Sequence, residues 1–439
     1  MALLSAGCSE TTTANKPSGQ KLGEGAALTG QIDPKPGNGK DIVSQFAGEE
    51  WTYGTVPDAG TPADPSKAPI KIGFINTNNG AIGALPVLSD GTNAAASFIN
   101  SELGGVDGHP IEILPCETDA SQARSEECAK QLASQGVIAV LGGLAISSGA
   151  AVKVLEQNNI PWIGGIPLNV DEMQSKVAFQ FSGGSPGAFA AFAWHAAKEL
   201  KAKRVSVLYI DLPQIKFAMQ DYGIALLKAY GVEVNEVPTP LTTTDWAPVV
   251  QSALSTNPEA VIVGAADFAC PKVIEAIAAA GSSAQIYQVG SCADDKWLQQ
   301  VGYDKVSNTL FNIEGRLDQT ISNRADTEIF TAAMKKFQPS TNSQSAATIG
   351  FKSAMNLWDA LDEIGPDASA ADLIDFFSNT VEHRSWDGHS YTCKTEQVPA
   401  LPSLCAPQQV LLRIKDATTF EEGYPDWIDV PKILTDAGI

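Results

Sequence analysis

The amino-acid sequence predicts an α/β protein of two lobes, each built on a mostly parallel sheet with helices on both faces. Three observations carry this expectation. From residue 69 onward, short runs of branched apolar residues alternate with helical patterns, and repeated strand, helix, strand units favour parallel sheets. The alternation falls into two series, the second beginning near Gly187. The chain has 439 residues, 44% of them hydrophobic, with 38 glycines, which is ample for two separate cores.

In the first series a strand over 70–75 is followed by an Asn- and Gly-rich loop over 76–83 and a helix over 90–103. Gly104-Gly105-Val106-Asp107-Gly108-His109-Pro110 is a turn leading to a strand over 111–115. A helix across Cys128 and Leu132 then feeds the stretch 137–150, which reads as a buried strand, a glycine-rich turn and a helix opened by Ser147 and Ser148. A helix start leaves backbone N–H groups unpaired at the positive end of the helix dipole, so this turn can hold a carboxylate or another anionic group. The alternative is that Ser147 or Ser148 merely caps its own helix. A strand over 160–163 and a loop over 164–169 complete the series.

The second series opens with a helix over 188–200 and a strand over 205–210. In the next helix Ile215, Met219, Tyr222, Leu226 and Ala229 recur at steps of four and three, forming one apolar face. A strand over 232–237, a helix over 246–255, a strand over 260–263, a helix over 271–280 and a strand over 286–289 follow.

The balance of 29 basic to 50 acidic residues, a formal charge of -21, argues against a nucleic-acid partner, which needs a basic footprint. No apolar run reaches the roughly 18 residues that a membrane-spanning helix requires. Of the seven cysteines, six fall in near pairs: Cys116 with Cys128, Cys270 with Cys292, and Cys393 with Cys405. Six cysteines allow fifteen pairings, and the short separations make the three local bridges the simplest choice. None is spaced as C-x-x-C and only four histidines exist, so no metal site is expected. Short-loop bridges contribute about 3 kcal/mol each in the chain-entropy model and imply an oxidising, extracytoplasmic compartment.

Leu3-Leu4-Ser5-Ala6-Gly7-Cys8-Ser9 resembles the end of a bacterial lipoprotein signal, in which the cysteine becomes the lipidated first residue. Ser5 stands where that pattern usually has leucine. Only seven residues precede Cys8, too few for the charged and apolar regions of a signal peptide, which places the start of a full signal upstream. Residues 9–68 lack periodicity and read as a tether or a loosely packed wrap, with Trp51 and Tyr53 placed to pin part of it to the body.

From residue 69 to the C-terminus the chain resembles the type I periplasmic solute-binding proteins of ABC transporters, in particular the leucine/isoleucine/valine-binding family. The resemblance rests on the order and spacing of Ile70-Lys71-Ile72-Gly73-Phe74, the Gly104 to Gly108 turn, the 137–142 strand with Ser147-Ser148, Asn159-Ile160-Pro161-Trp162-Ile163 and Ser385-Trp386-Asp387. It implies two doubly wound parallel-sheet lobes, 69–184 plus 314–383 and 185–313 plus 384–439, joined by a three-crossover hinge. A ligand would be enclosed where both sheets present the carboxyl ends of their strands.

The family's binding residues carry over in part. Ala145, Ser147 and Ser148 match the turn that meets the ligand carboxylate. Ile166 and Asn169 stand in the next loop, which lacks the family's threonine. Ser291 occupies the place of the acid that grips the ligand ammonium, Phe268 matches an aromatic residue, Leu85 takes the place of another, and Ser185 sits at the first crossover. Asp267 either replaces the missing acid or caps the helix before Cys270. Because an unpaired buried ammonium is costly, an ordinary branched-chain amino acid is disfavoured as the ligand.

Gly183-Gly184-Ser185-Pro186-Gly187 matches the G-x-S-x-G nucleophile elbow letter for letter. There the residue after serine donates a backbone N–H to the oxyanion, and proline has none, so hydrolysis is not expected. The reading is therefore a monomeric, lipid-anchored extracytoplasmic solute-binding component of an ABC importer, neither an enzyme nor a cofactor protein. It would capture a small polar or amphipathic molecule (an amino acid or derivative, a small carboxylate or an amide) by clamshell closure and deliver it to a permease. A ligand sensor or interaction module with the same fold is the alternative.

Overall fold

The computed structural model describes residues 60, 62–79, 84–265, 269–293, 295–314, 324–341, 346–416, 420–424 and 426–439. Cys8, Trp51, Tyr53, Asp267 and Phe268 lie outside them, and so do the expectations attached to those residues. Two sheets organise the chain. The first has the order β2-β1-β3-β4-β5, from β1 (Ile70–Asn76), β2 (Ile111–Glu117), β3 (Ala139–Gly142), β4 (Trp162–Ile163) and β5 (Ala178–Phe179), all parallel.

The second sheet repeats that order. It contains β6 (Arg204–Ile210), β7 (Glu233–Thr239), β8 (Ala260–Gly264), β9 (Gln285–Gln288), β10 (Thr309–Ile313), β11 (Val410–Ile414) and β12 (Phe420–Glu422). Its order is β12-β11-β10-β9-β8-β6-β7, in which only β11 and β12 run antiparallel to their neighbours. The architecture is the expected α/β pair of doubly wound lobes.

Strands covered on both faces must be apolar throughout, and β3 and β8 are buried along their whole length. Ser121 caps the helix Gln122–Ser134 by accepting from the Arg124 N–H at 3.2 Å. The helix expected over 90–103 starts earlier, at Pro86, because proline is at home in a first helical turn. The helix expected over 188–200 likewise starts at Gly184, so Gly184 and Ser185 form its first turn, and beyond Trp194 it widens into a π turn, His195–Glu199. A second π turn, Met219–Ile224, interrupts the Ile215 to Ala229 helix.

The helix Ala347–Ile364 lies against the helix Pro86–Glu102 across the first core, where Phe98, Phe351 and Trp358 are buried. The two backbones touch through glycine: a Cβ on Gly91 would run into the Ala347 carbonyl oxygen, and one on Gly350 into that of Leu88. Trp386 and Tyr391 belong to the same core, whereas Val398, Leu401 and Leu404 pack with the second. The chain thus crosses between lobes after β5, after β10 and between Tyr391 and β11, so Trp386 and Tyr391, expected in the second lobe, pack in the core of the first.

All three expected bridges are formed, Cys116 with Cys128, Cys270 with Cys292 and Cys393 with Cys405. Among the described residues no helix is long and apolar enough to cross a membrane. Replacing Gly91 by Ala should lower stability by about 1–3 kcal/mol through overpacking of the helix pair, read as a shift of the urea midpoint at unchanged slope.

Candidate functional site

The carboxyl ends of both sheets face one cavity of about 190 Å³. Leu144 and Ile146 follow β3, Ile166 and Leu168 follow β4, Ile210 ends β6 and Leu212 follows it, Ala265 follows β8, Val289 and Ser291 follow β9, and Glu314 follows β10. Open parallel sheets bind ligands at this location, beyond the strand ends and beside the switch in strand order. Loops there are anchored from below. Buried Asn76, at the end of β1, accepts from the Leu144 N–H (2.9 Å) and donates to the Leu85 carbonyl (2.9 Å), which fixes two lining residues at once. Gly143 is required beside it, since a Cβ there would strike the Asn76 side chain.

Of the residues singled out in the sequence, Leu85, Ile166, Ser185 and Ser291 line the cavity. Ala145, Ser147, Ser148 and Asn169 form an adjoining polar cluster instead. Ser147 occupies the cap position of the helix Ser148–Gln157, yet its hydroxyl makes no capping bond and donates to the Ala120 carbonyl at 2.7 Å. Asn169 donates to the Ser148 hydroxyl (2.7 Å) and to the Ala145 carbonyl (3.2 Å). Across the cleft, the Gln214 amide donates to Asn169 Oδ1 at 3.5 Å, at the outer limit of a hydrogen bond.

Behind Ser148 lies a carboxyl group that the sequence did not advertise. Glu172 is 1% exposed; its Oε1 accepts from Trp162 Nε1 (3.0 Å) and Gln180 Nε2 (2.9 Å), while Oε2 is 2.5 Å from the Ser148 hydroxyl. Burial pushes its pKa from the ordinary 4.5 up to about 7, against the opposing pull of Ser148 and the other hydrogen bonds. The Ser148 hydroxyl donates to Oε2, so both carboxyl oxygens are hydrogen-bonded inside the lobe.

A second buried network joins the crossovers. Glu314 Oε1 accepts from the Gly183 N–H (3.0 Å) and Gln409 Nε2 (2.6 Å), and the Ser182 hydroxyl bonds to the same carboxyl. Lys352, 1% exposed, donates to the Glu314 carbonyl (2.9 Å) and the Phe181 carbonyl (3.2 Å). Burial raises the Glu314 pKa and lowers that of Lys352, each opposed by the charge of the other. Thr348, on the cavity wall, donates to Asp387 at 2.5 Å. The Gly183 to Gly187 motif has no catalytic neighbour in His195, whose ring pairs with the Tyr287 hydroxyl and the Gly423 carbonyl.

A family model described as periplasmic binding protein matches residues 69–395. Among solved structures, the leucine-binding protein LivK of Thermotoga maritima is 18% identical, with a TM-score of 0.66 over 82% of this chain and 99% of that one. A fatty acid ABC transporter substrate-binding protein from Thermomonospora curvata is 14% identical, with a TM-score of 0.69 over 86% of this chain and 97% of that one. A solute-binding protein from R. palustris in complex with 4-hydroxybenzoate is 16% identical, with a TM-score of 0.67 over 82% and 97%. No curated protein matches the chain in sequence.

The Glu172 environment makes stability pH-dependent. An acid whose pKa rises on folding keeps a proton that the unfolded chain releases, so stability is greatest below about pH 4.5 for this group and falls as pH rises to about 7. The loss amounts to at most about 3 kcal/mol. Glu172→Gln should flatten this part of the profile and be relatively stabilising at pH 8, measured by thermal melts from pH 5 to 8; a parallel profile for both proteins would contradict the assignment.

Proposed function

We propose, from the premise that the chain belongs to the periplasmic binding protein family, that it is the solute-capturing component of an ABC importer. The family is a solute-binding type working outside the cytoplasm, and the three disulfides suit that compartment. One observation carries the reading: a single cavity lies at the carboxyl ends of both sheets, with walls drawn from both lobes. A molecule that touches both walls stabilises the closed arrangement by its differential contacts, which is how binding becomes closure.

The ligands named for the similar structures include leucine, fatty acid and 4-hydroxybenzoate, which supports a small molecule with an apolar portion. The closed chain would be handed to a membrane permease. Lipid attachment at Cys8, with the following segment as tether, would hold the lobes near it.

Screening the purified, ligand-stripped protein against small amphipathic molecules should find one that raises the melting temperature. A ligand at about 100 times its Kd adds about 2.7 kcal/mol. Small-angle scattering with that ligand should show a smaller radius of gyration. If a folded, ligand-free preparation responds to no small molecule, the solute-binding reading fails.

A further inference from the structure

We propose that this cavity selects an uncharged amphipathic solute, an aliphatic or alicyclic body bearing a hydroxyl or N–H head read by Gln214; this rests on the solute-binding reading above. Both walls are apolar where the body would lie, with Leu85, Ile166 and Leu168 from the first lobe facing Phe189, Ile215 and Val289 from the second.

The polar groups decide the head. Among the described lining residues there is no Lys, Arg or His, so a carboxylate brought out of water would find no counter-charge. The one acid on the wall, Glu314, is committed to the crossovers: the Gly183 N–H, Gln409 Nε2 and the Ser182 hydroxyl already donate to it. The nearby ammonium of Lys352 is spent on two backbone carbonyls. An ammonium solute would therefore have to compete with three built-in donors for the one carboxylate among the described lining residues.

Among the described lining residues, what remains open is neutral. Gln214 Oε1 is shielded from solvent and has no hydrogen-bond partner, which is costly unless a donor arrives. An acceptor of this kind takes an O–H or N–H from the solute. Hydroxyls of Ser185 and Ser291 lie on the same wall and can serve a second polar atom. Because the other end of the Gln214 amide reaches Asn169 of the opposite lobe, a solute held by Gln214 is held at the point where the lobes meet.

The test is calorimetric titration of the ligand-stripped full chain with three molecules of one shape and different charge: cyclohexylmethanol, cyclohexanecarboxylate and cyclohexylmethylammonium, with leucine as a fourth. The alcohol should bind about tenfold or more tightly than any of the others. Gln214→Leu should weaken the alcohol by about tenfold, while Gln214→Glu, which keeps acceptor oxygens, should retain it and admit the ammonium. A carboxylate, ammonium or leucine bound as tightly as the alcohol overturns the ligand class and leaves the solute-binding reading standing. Unchanged alcohol affinity in a Gln214→Leu protein that melts like the parent removes Gln214 from recognition. Failure of all four to bind overturns the class, and the broader thermal screen decides independently whether the solute-binding reading falls with it.

Discussion

One carboxyl group touches every passage of chain between the lobes. Glu314 belongs to the passage after β10, Gly183 and Ser182 to the one after β5, and Gln409 to the last, and all converge on the same side chain. Gln409 is also held by Asn312, which donates to its Oε1 at 2.8 Å and fixes the loop after β9 by accepting from the Gly290 N–H at 2.9 Å. The first and third passages pair directly through Gln180, whose N–H donates to the Ser403 carbonyl and whose carbonyl accepts from the Cys405 N–H. Lobes connected by three independent loops would flex independently. Here the passages form one polar unit, and the cavity wall is its exposed face.

This arrangement explains why the polar residues beside the cavity divide into two kinds. Ser148, Glu172 and the amide nitrogen of Asn169 are satisfied within the first lobe and position the loops after β3 and β4. Glu314, Lys352 and Thr348 are satisfied among the crossovers and the segment around Asp387. Buried polar groups are costly unless paired, so a site whose scaffold consumes its charges presents the ligand mainly with carbon.

Much of the fold was legible because its signals are local. Branched runs such as 70–75 and 260–263 can be satisfied only by strands covered on both faces, and the cysteine spacing matched bridges that short loops can close. The helix expected over 90–103 starts earlier, at Pro86, because a proline in the first turn adds no apolar periodicity to read. The two π turns have no signature in apolar periodicity, and the helices beyond β10 lie outside the alternation that organised the reading. Ser147 and Ser148, singled out in the sequence, stand beside the cavity rather than on its wall, and their partners were not legible, since Ala120 and Glu172 come from other segments. Glu314 left a usable trace. An acid placed directly after the buried strand β10 sits where parallel sheets offer their ligand-binding edge.

The Cys393–Cys405 bridge has a mechanical meaning. It lies within the last passage between lobes and holds two residues with 12 positions of sequence separation at a Cα distance of 4.6 Å. Unbridged, a chain of that length reaches about 40 Å when extended. The bond converts slack into a short strap, leaving only the few residues on either side of it to span the last passage. The length of one of the three connections between the lobes is thus set by covalent chemistry outside the cavity, and reduction of that bond would lengthen the connection without touching a lining residue.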